Sequence, residues 1–123
     1  MNSGGTQVWI VTPDQRLRNM VEEWVGKAPI VQWYRNIGDI HKNLKHAPSR
    51  MVILWDASLQ GTPDAIRTLH RTRPDAKIIV LSPSPDWCEA RKCFRAGAAD
   101  YLPIHMTSRE RTKFKERLQQ WLN

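Results

Sequence analysis

Five short apolar runs alternate with five segments whose apolar residues recur at helical spacing, and this alternation constrains the chain more than any other feature of its sequence. Gln7–Val11, Ile30–Tyr34, Met51–Trp55, Lys77–Leu81 and Asp100–Pro103 read as strands. After the first, Leu17, Met20, Val21, Trp24 and Val25 fall at i, i+3, i+4, i+7 and i+8, an amphipathic helix that Asp14 can cap and Gly26 can end. A weaker helix begins at Asp39, runs through Ile40 and Leu44, and is ended by Pro48. Pro63 suits the first turn of a third helix, which carries Ile66 and Leu69 and stops before Pro74. Ser82-Pro83-Ser84-Pro85 reads as a rigid loop. Asp86 then caps a fourth helix with Ala90, Cys93 and Phe94 inside, closed by Gly97. Ser108 caps the last helix, with an apolar stripe of Phe114, Leu118, Trp121 and Leu122.

Strands alternating with helices of this length form a parallel sheet covered on both faces. Right-handed crossovers leave few topologies, and the flavodoxin-like α/β order 2-1-3-4-5 fits five such units. The 123 residues suffice for one domain with a substantial core. The domain is expected over residues 7–123, behind a flexible leader at residues 1–6. That leader lacks the basic start and apolar centre of a signal peptide, and no apolar stretch approaches a membrane span, so cytoplasm is the default location.

Lys and Arg outnumber Asp and Glu 19 to 12, a net charge of +7, with most of the excess beyond residue 61. Such a surface attracts acidic partners, nucleic acid among them, without choosing between them. The cysteines, Cys88 and Cys93, point in different directions on one helix and read as two partly buried thiols rather than a disulfide. No Cys or His pair has zinc-ligand spacing. His41, His46, His70 and His105 are scattered and read as surface or packing residues. Of the six tryptophans, Trp9, Trp24, Trp33, Trp55 and Trp121 sit on strands or apolar stripes; only Trp87 is placed for partner contact.

The carboxylate that ends the third strand, Asp56, sits where open α/β sheets place their chemistry. The fourth strand ends in a hydroxyl, Ser82. Near the fifth lies Ala96-Gly97-Ala98-Ala99-Asp100-Tyr101-Leu102. With Leu59 and Gly61 after Asp56, these residues resemble, in order and spacing, the receiver domain of two-component response regulators. The resemblance covers nearly everything from Val8 to Leu122. It implies that Asp56 holds the phosphoacceptor position and that Ser82 and Tyr101 hold the positions of the conformational switch. In the family, the phosphoryl group comes from a histidine kinase. A magnesium ion held by two acidic residues after the first strand offsets its charge, and a lysine after the fifth strand, followed by proline, pairs with it.

This chain departs from that pattern at each compensating position. Thr12 and Pro13 stand where the acidic pair belongs, and Asp14 falls one residue too late. Ile104 replaces the lysine and His105 the proline, whose cis bond in the family is cheap only because it is proline; Gln60 replaces the usual proline after Asp56. A phosphoryl group on Asp56 would add about two negative charges with little to offset them. The expectation is therefore an atypical receiver, not an enzyme, with no cofactor, that signals through protein contacts. Asp56 then serves as a strand-end carboxylate bonded to loop amides. The alternative is a working receiver that uses magnesium and is phosphorylated at Asp56 by a histidine kinase. A second alternative is binding of nucleic acid or an anionic ligand through the basic C-terminal half.

In receiver domains the fourth helix, fifth strand and fifth helix form the usual partner or dimer face. Here that face would carry Trp87, Arg91, Lys92 and Arg95, with Arg109, Arg111, Lys113, Lys115 and Arg117 beyond. So many cations imply an acidic protein partner, or a homodimer through the same face. Nucleic acid is not expected of this domain alone: no helix-turn-helix accompanies it and no stacking aromatics interleave with the cations.

Overall fold

The computed structural model describes residues 6–26, 30–47 and 50–122. Its elements follow in the order β1 (Gln7–Val11), α1 (Gln15–Val25), β2 (Ile30–Tyr34), α2 (Ile37–Leu44), β3 (Met51–Asp56), α3 (Thr62–Thr72), β4 (Lys77–Ser82), α4 (Trp87–Ala96), β5 (Asp100–Pro103) and α5 (Ser108–Leu122). All four strand pairings are parallel and the sheet order is β2-β1-β3-β4-β5, as the alternation predicts. No helix among the described residues is long and apolar enough to cross a membrane.

Successive side chains of a strand face opposite ways, so the central strands feed two cores. Trp9, Val11, Ile53, Trp55, Ile78 and Val80 pack beneath α2, α3 and α4 with Ile40, Leu44, Ile66, Leu69 and Cys93. Val8, Ile10, Val52, Leu54, Ile79 and Leu81 meet α1 and α5 through Leu17, Val21, Trp24, Phe114 and Leu118. Trp24 and Phe114 join those helices edge to face, their ring centroids 5.5 Å apart. Each fully buried aliphatic side chain contributes roughly 1.5–3 kcal/mol of hydrophobic stabilisation.

The helix ends show where local chemistry decides. Asp14 caps α1 by accepting from the Arg16 N–H, and Asp86 caps α4 by accepting from the Cys88 N–H. Four boundaries differ from the sequence reading. α2 starts at Ile37, two residues before Asp39, while its expected stop, Pro48, lies outside the described residues. β3 and β4 each run one residue further, so Asp56 and Ser82 are strand residues. The cap of α5 is Thr107, not Ser108: the Glu110 N–H donates to Thr107 Oγ1 and the Thr107 N–H donates to Glu110 Oε1, a reciprocal capping box.

Burial refines further expectations. Phe94 is exposed, because Ala90, Cys93 and Ala96 already occupy the buried face of α4. The thiols divide into a buried Cys93 and an exposed Cys88 rather than two partly buried groups. Trp121 and Leu122 are only partly buried at the end of their stripe. Thr6, which the sequence assigns to the leader, is buried.

Candidate functional site

Strand register assembles the site at the carboxyl edge of the sheet. Val11 pairs with Trp55, which sets Thr12 beside Asp56, and Asp56 pairs with Leu81, which sets it beside Ser82. Asp56 is 3 % exposed and both its oxygens are engaged. Thr12 Oγ1 donates to Oδ2 across 2.6 Å, and the Ser58 N–H donates to Oδ1 across 2.8 Å. Thr12 Oγ1 also accepts from the Asp14 N–H, at 3.0 Å, which ties the first loop to the carboxylate. Trp33 Nε1–H donates to the Thr12 carbonyl, so β2 holds the same loop from the other side.

The other positions singled out by the sequence scatter around this point. Pro13 is exposed, and the Asp14 carboxylate is committed to its helix cap. Ser82 is buried and its Oγ accepts from the Ser84 N–H. The Ile104 N–H donates to the Ser82 carbonyl, while the Ile104 side chain packs with Leu102 and Met106 against the core shared by α1 and α5. His105 is exposed. Gln60 is exposed too; Gly61 next to it takes a left-handed conformation, φ 69°, that lets the chain turn into α3.

These residues do not fit a magnesium ion. A hard cation needs several oxygen ligands, mostly carboxylates. Here one carboxylate faces a hydroxyl and an amide, both already bonded to it. No group of three or more His, Cys, Asp or Glu side chains able to hold a metal converges among the described residues.

Tyr101 lies between this edge and the surface. It is partly buried; its hydroxyl donates to Glu89 Oε1 across 2.5 Å and accepts from the Asp86 N–H across 3.3 Å. Burial foremost, and then the Glu89 carboxylate accepting from the phenol, hold the Tyr101 pKa above its ordinary value, while a hydrogen bond with the Ser82 side chain acts in the opposing sense. The Tyr101 hydroxyl is bonded to Glu89 and to the Asp86 N–H, and Ser82 Oγ to the Ser84 N–H. Glu89, which fixes the phenol, carried no signal in the sequence beyond its place on α4.

Beside Tyr101 opens a groove of about 320 Å³ lined by Pro85, Asp86, Trp87, Ala90, Phe94 and Tyr101. Trp87 is 86 % exposed and Phe94 47 %. Arg91, Lys92 and Arg95 are exposed on the same helix, and none takes part in an ion pair among the described residues. The cations of α5 are not gathered here. Arg109 and Lys113 are exposed on α5, and Lys113 lines a separate groove with Leu102, Pro103, Met106 and Phe114. Arg117 instead pairs with Asp100. Two further guanidinium groups, of Arg18 and Arg35, lie 4.4 and 4.9 Å from the Trp33 ring centroid, a pairing the sequence did not reveal.

No protein-family model and no curated relative matches the sequence. Solved structures do match. A response regulator from Thermotoga maritima superposes with a TM-score of 0.80 at 21 % identity, covering 96 % of this chain and 98 % of its own. The BeF3-activated DrrB receiver domain gives 0.79 at 22 % identity, over 94 % and 96 %. An orphan response regulator of H. pylori gives 0.79 at 15 % identity, over 98 % of both chains. The chain thus has the fold of response regulator receiver domains over nearly its whole length.

Proposed function

We propose that this chain is an atypical receiver-like module of a two-component signalling system, one that works through protein contacts without magnesium-dependent phosphorylation of Asp56. The observation that carries this reading is the Thr12–Asp56 hydrogen bond. Where the receiver pattern calls for a carboxylate to hold a cation, a neutral hydroxyl donates directly to the acceptor aspartate. Ile104, in the lysine position, is packed against an apolar core. Phosphoryl transfer relies on positioning and on charge placed to meet the transferring oxygens, and neither supplies it.

The test is intact mass after incubation with acetyl phosphate and magnesium, on the wild type and on Asp56→Asn. The expected result is no added phosphate on either. A gain of one phosphate on the wild type that Asp56→Asn abolishes would overturn the reading and make Asp56 an ordinary phosphoacceptor.

A further inference from the structure

We infer that a pocket at the amino-terminal edge of the sheet, beside the end of α5, binds a small aromatic carboxylic acid as its monoanion. The pocket stands at the opposite end of β3 and β4 from Asp56 and Ser82. The inference goes beyond the proposed function and does not rest on it.

Strand alternation builds the pocket. On the face that α5 covers, β1 presents Val8 and Ile10, β3 presents Val52 and Leu54, and β4 presents Ile79 and Leu81. One step towards the amino end, each row stops being apolar and continues in Thr6, Arg50 and Lys77. Register holds the three close together: the Gln7 N–H donates to the Arg50 carbonyl, and Lys77 pairs with Val52. Gln120 and Trp121, in the last turn of α5, complete a cavity of about 250 Å³ that Asp75 also borders. At about 3.3 Å per residue, β3 sets Met51, at this edge, roughly 16 Å from Asp56.

The lining selects the ligand. Thr6 is 4 % exposed, yet its hydroxyl has no hydrogen bond among the described residues. A buried hydroxyl calls for a partner, and an oxyanion in the cavity supplies one. Lys77 is exposed and takes part in no ion pair among the described residues, and Arg50 is exposed at the same cavity. An ammonium and a guanidinium at one small cavity favour an anion, and the guanidinium fork matches a carboxylate. Asp75 limits the charge of that anion. It is held by Arg73 at 3.3 Å, and this hydrogen bond keeps the Asp75 carboxyl below its ordinary pKa. A second negative charge on the ligand would meet that carboxylate, so a monoanion fits better than a phosphate dianion. The partly buried Trp121 offers a flat apolar wall, which suits an aromatic ring. The volume lies below that of drug-sized sites, so the body is one small ring system.

The experiment titrates the whole isotope-labelled chain with sodium benzoate in proton–nitrogen correlation NMR. It follows the amides of Lys77 and Gln120 and the indole N–H of Trp121, assigned by its loss in Trp121→Phe. The expected result is saturable shifts at these groups with a Kd on the order of 1 mM or tighter, since so small a ligand gains little binding energy in all. Benzamide, which keeps the ring without the charge, should bind at least about tenfold more weakly, and Lys77→Gln should weaken benzoate by a similar factor. Thr6→Val, which keeps the shape and drops the hydroxyl, should weaken it too. Both variants should fold, Lys77 being exposed and valine matching threonine in shape, and unchanged shifts across the sheet check this. Phenyl phosphate should bind more weakly than benzoate. No saturable shift at these groups, equal binding of benzamide, indifference to either variant, or tighter binding of phenyl phosphate each overturns the inference. Phosphate uptake at Asp56 together with benzoate binding at this pocket would remove the proposed function and leave this inference standing. No uptake and no binding would do the reverse.

Discussion

The Thr12 hydroxyl donates to the Asp56 carboxylate across 2.6 Å, joining residues 44 positions apart in the chain at the edge of two paired strands. A buried carboxylate must keep its donors, because a charge left unsatisfied out of water is costly. Thr12→Val keeps the shape of the side chain and removes the donor, so it should destabilise the fold by about 1–3 kcal/mol. Thr12→Ser keeps the donor and should retain most of that stability. Urea denaturation at fixed pH checks both, and equal losses for the two variants would show that packing, not the hydrogen bond, matters at this position.

Much of this site is legible in the sequence. The apolar runs and their spacing were enough for the sheet order, and an aspartate and a serine at adjoining strand ends placed the candidate site at its carboxyl edge. What the sequence could not show was register. Val11 opposite Trp55 is what turns Thr12 from a missing ligand into the partner of Asp56. Helical phase misled at Phe94, because three small or thiol residues already filled the buried side of α4. The cap of α5 was readable as Thr107-Ser-Arg-Glu110, a capping-box pattern, yet Ser108 competed for the same role one residue later.

Gly97 should tolerate no side chain. Its φ is 120°, which L side chains rarely adopt, and an added Cβ would lie 2.5 Å from the His70 Cγ and 2.8 Å from the His70 Cβ. The obstacle is the root of the imidazole side chain, which cannot swing away as a flexible end could. Gly97→Ala should cost at least about 2 kcal/mol through overpacking and backbone strain together. Adding His70→Ala should recover only the share of the steric cost that the ring carries, since the His70 Cβ, 2.8 Å away, remains. A double-mutant cycle in denaturant measures that recovery, and simple additivity of the two changes would contradict the contact.

The thiols should separate cleanly by reactivity and by pH. Burial, with the Glu89 charge adding to it, pushes Cys93 from 9.0 up to about 11, while Cys88 is exposed. Iodoacetamide near neutral pH should therefore modify one cysteine per native chain, and Cys88→Ser should abolish that modification. Tyr101 is raised as well, by burial first and by its bond to Glu89 next. A raised pKa means that the unfolded chain loses these protons at lower pH than the folded one. The contribution of Cys93 is complete below its unfolded value and falls as pH rises from about 9 toward 11, and that of Tyr101 falls only above its ordinary 10.0. Denaturation midpoints across that range should decline, and Cys93→Ala should make the decline shallower.

Supplying the charges of the receiver pattern should give Asp56 the phosphoryl uptake that the proposed function denies to the wild type. In Thr12→Asp, Pro13→Asp, Ile104→Lys, one new carboxylate stands beside Asp56, a second follows it in the loop, and a lysine replaces an apolar side chain. Without a cation, like charges crowd a largely buried edge, and the hydroxyl that satisfied Asp56 is gone. The variant should therefore melt lower than the wild type in chelator and recover stability with magnesium, while the wild type should not respond to either. With acetyl phosphate and magnesium it should gain one phosphate by intact mass, and the gain should disappear when Asp56→Asn is added. A variant that binds magnesium yet takes up no phosphate would locate the deficit elsewhere, in the Ser82–Tyr101 side of the site or in the loop at Gln60, where this chain also departs from the receiver pattern.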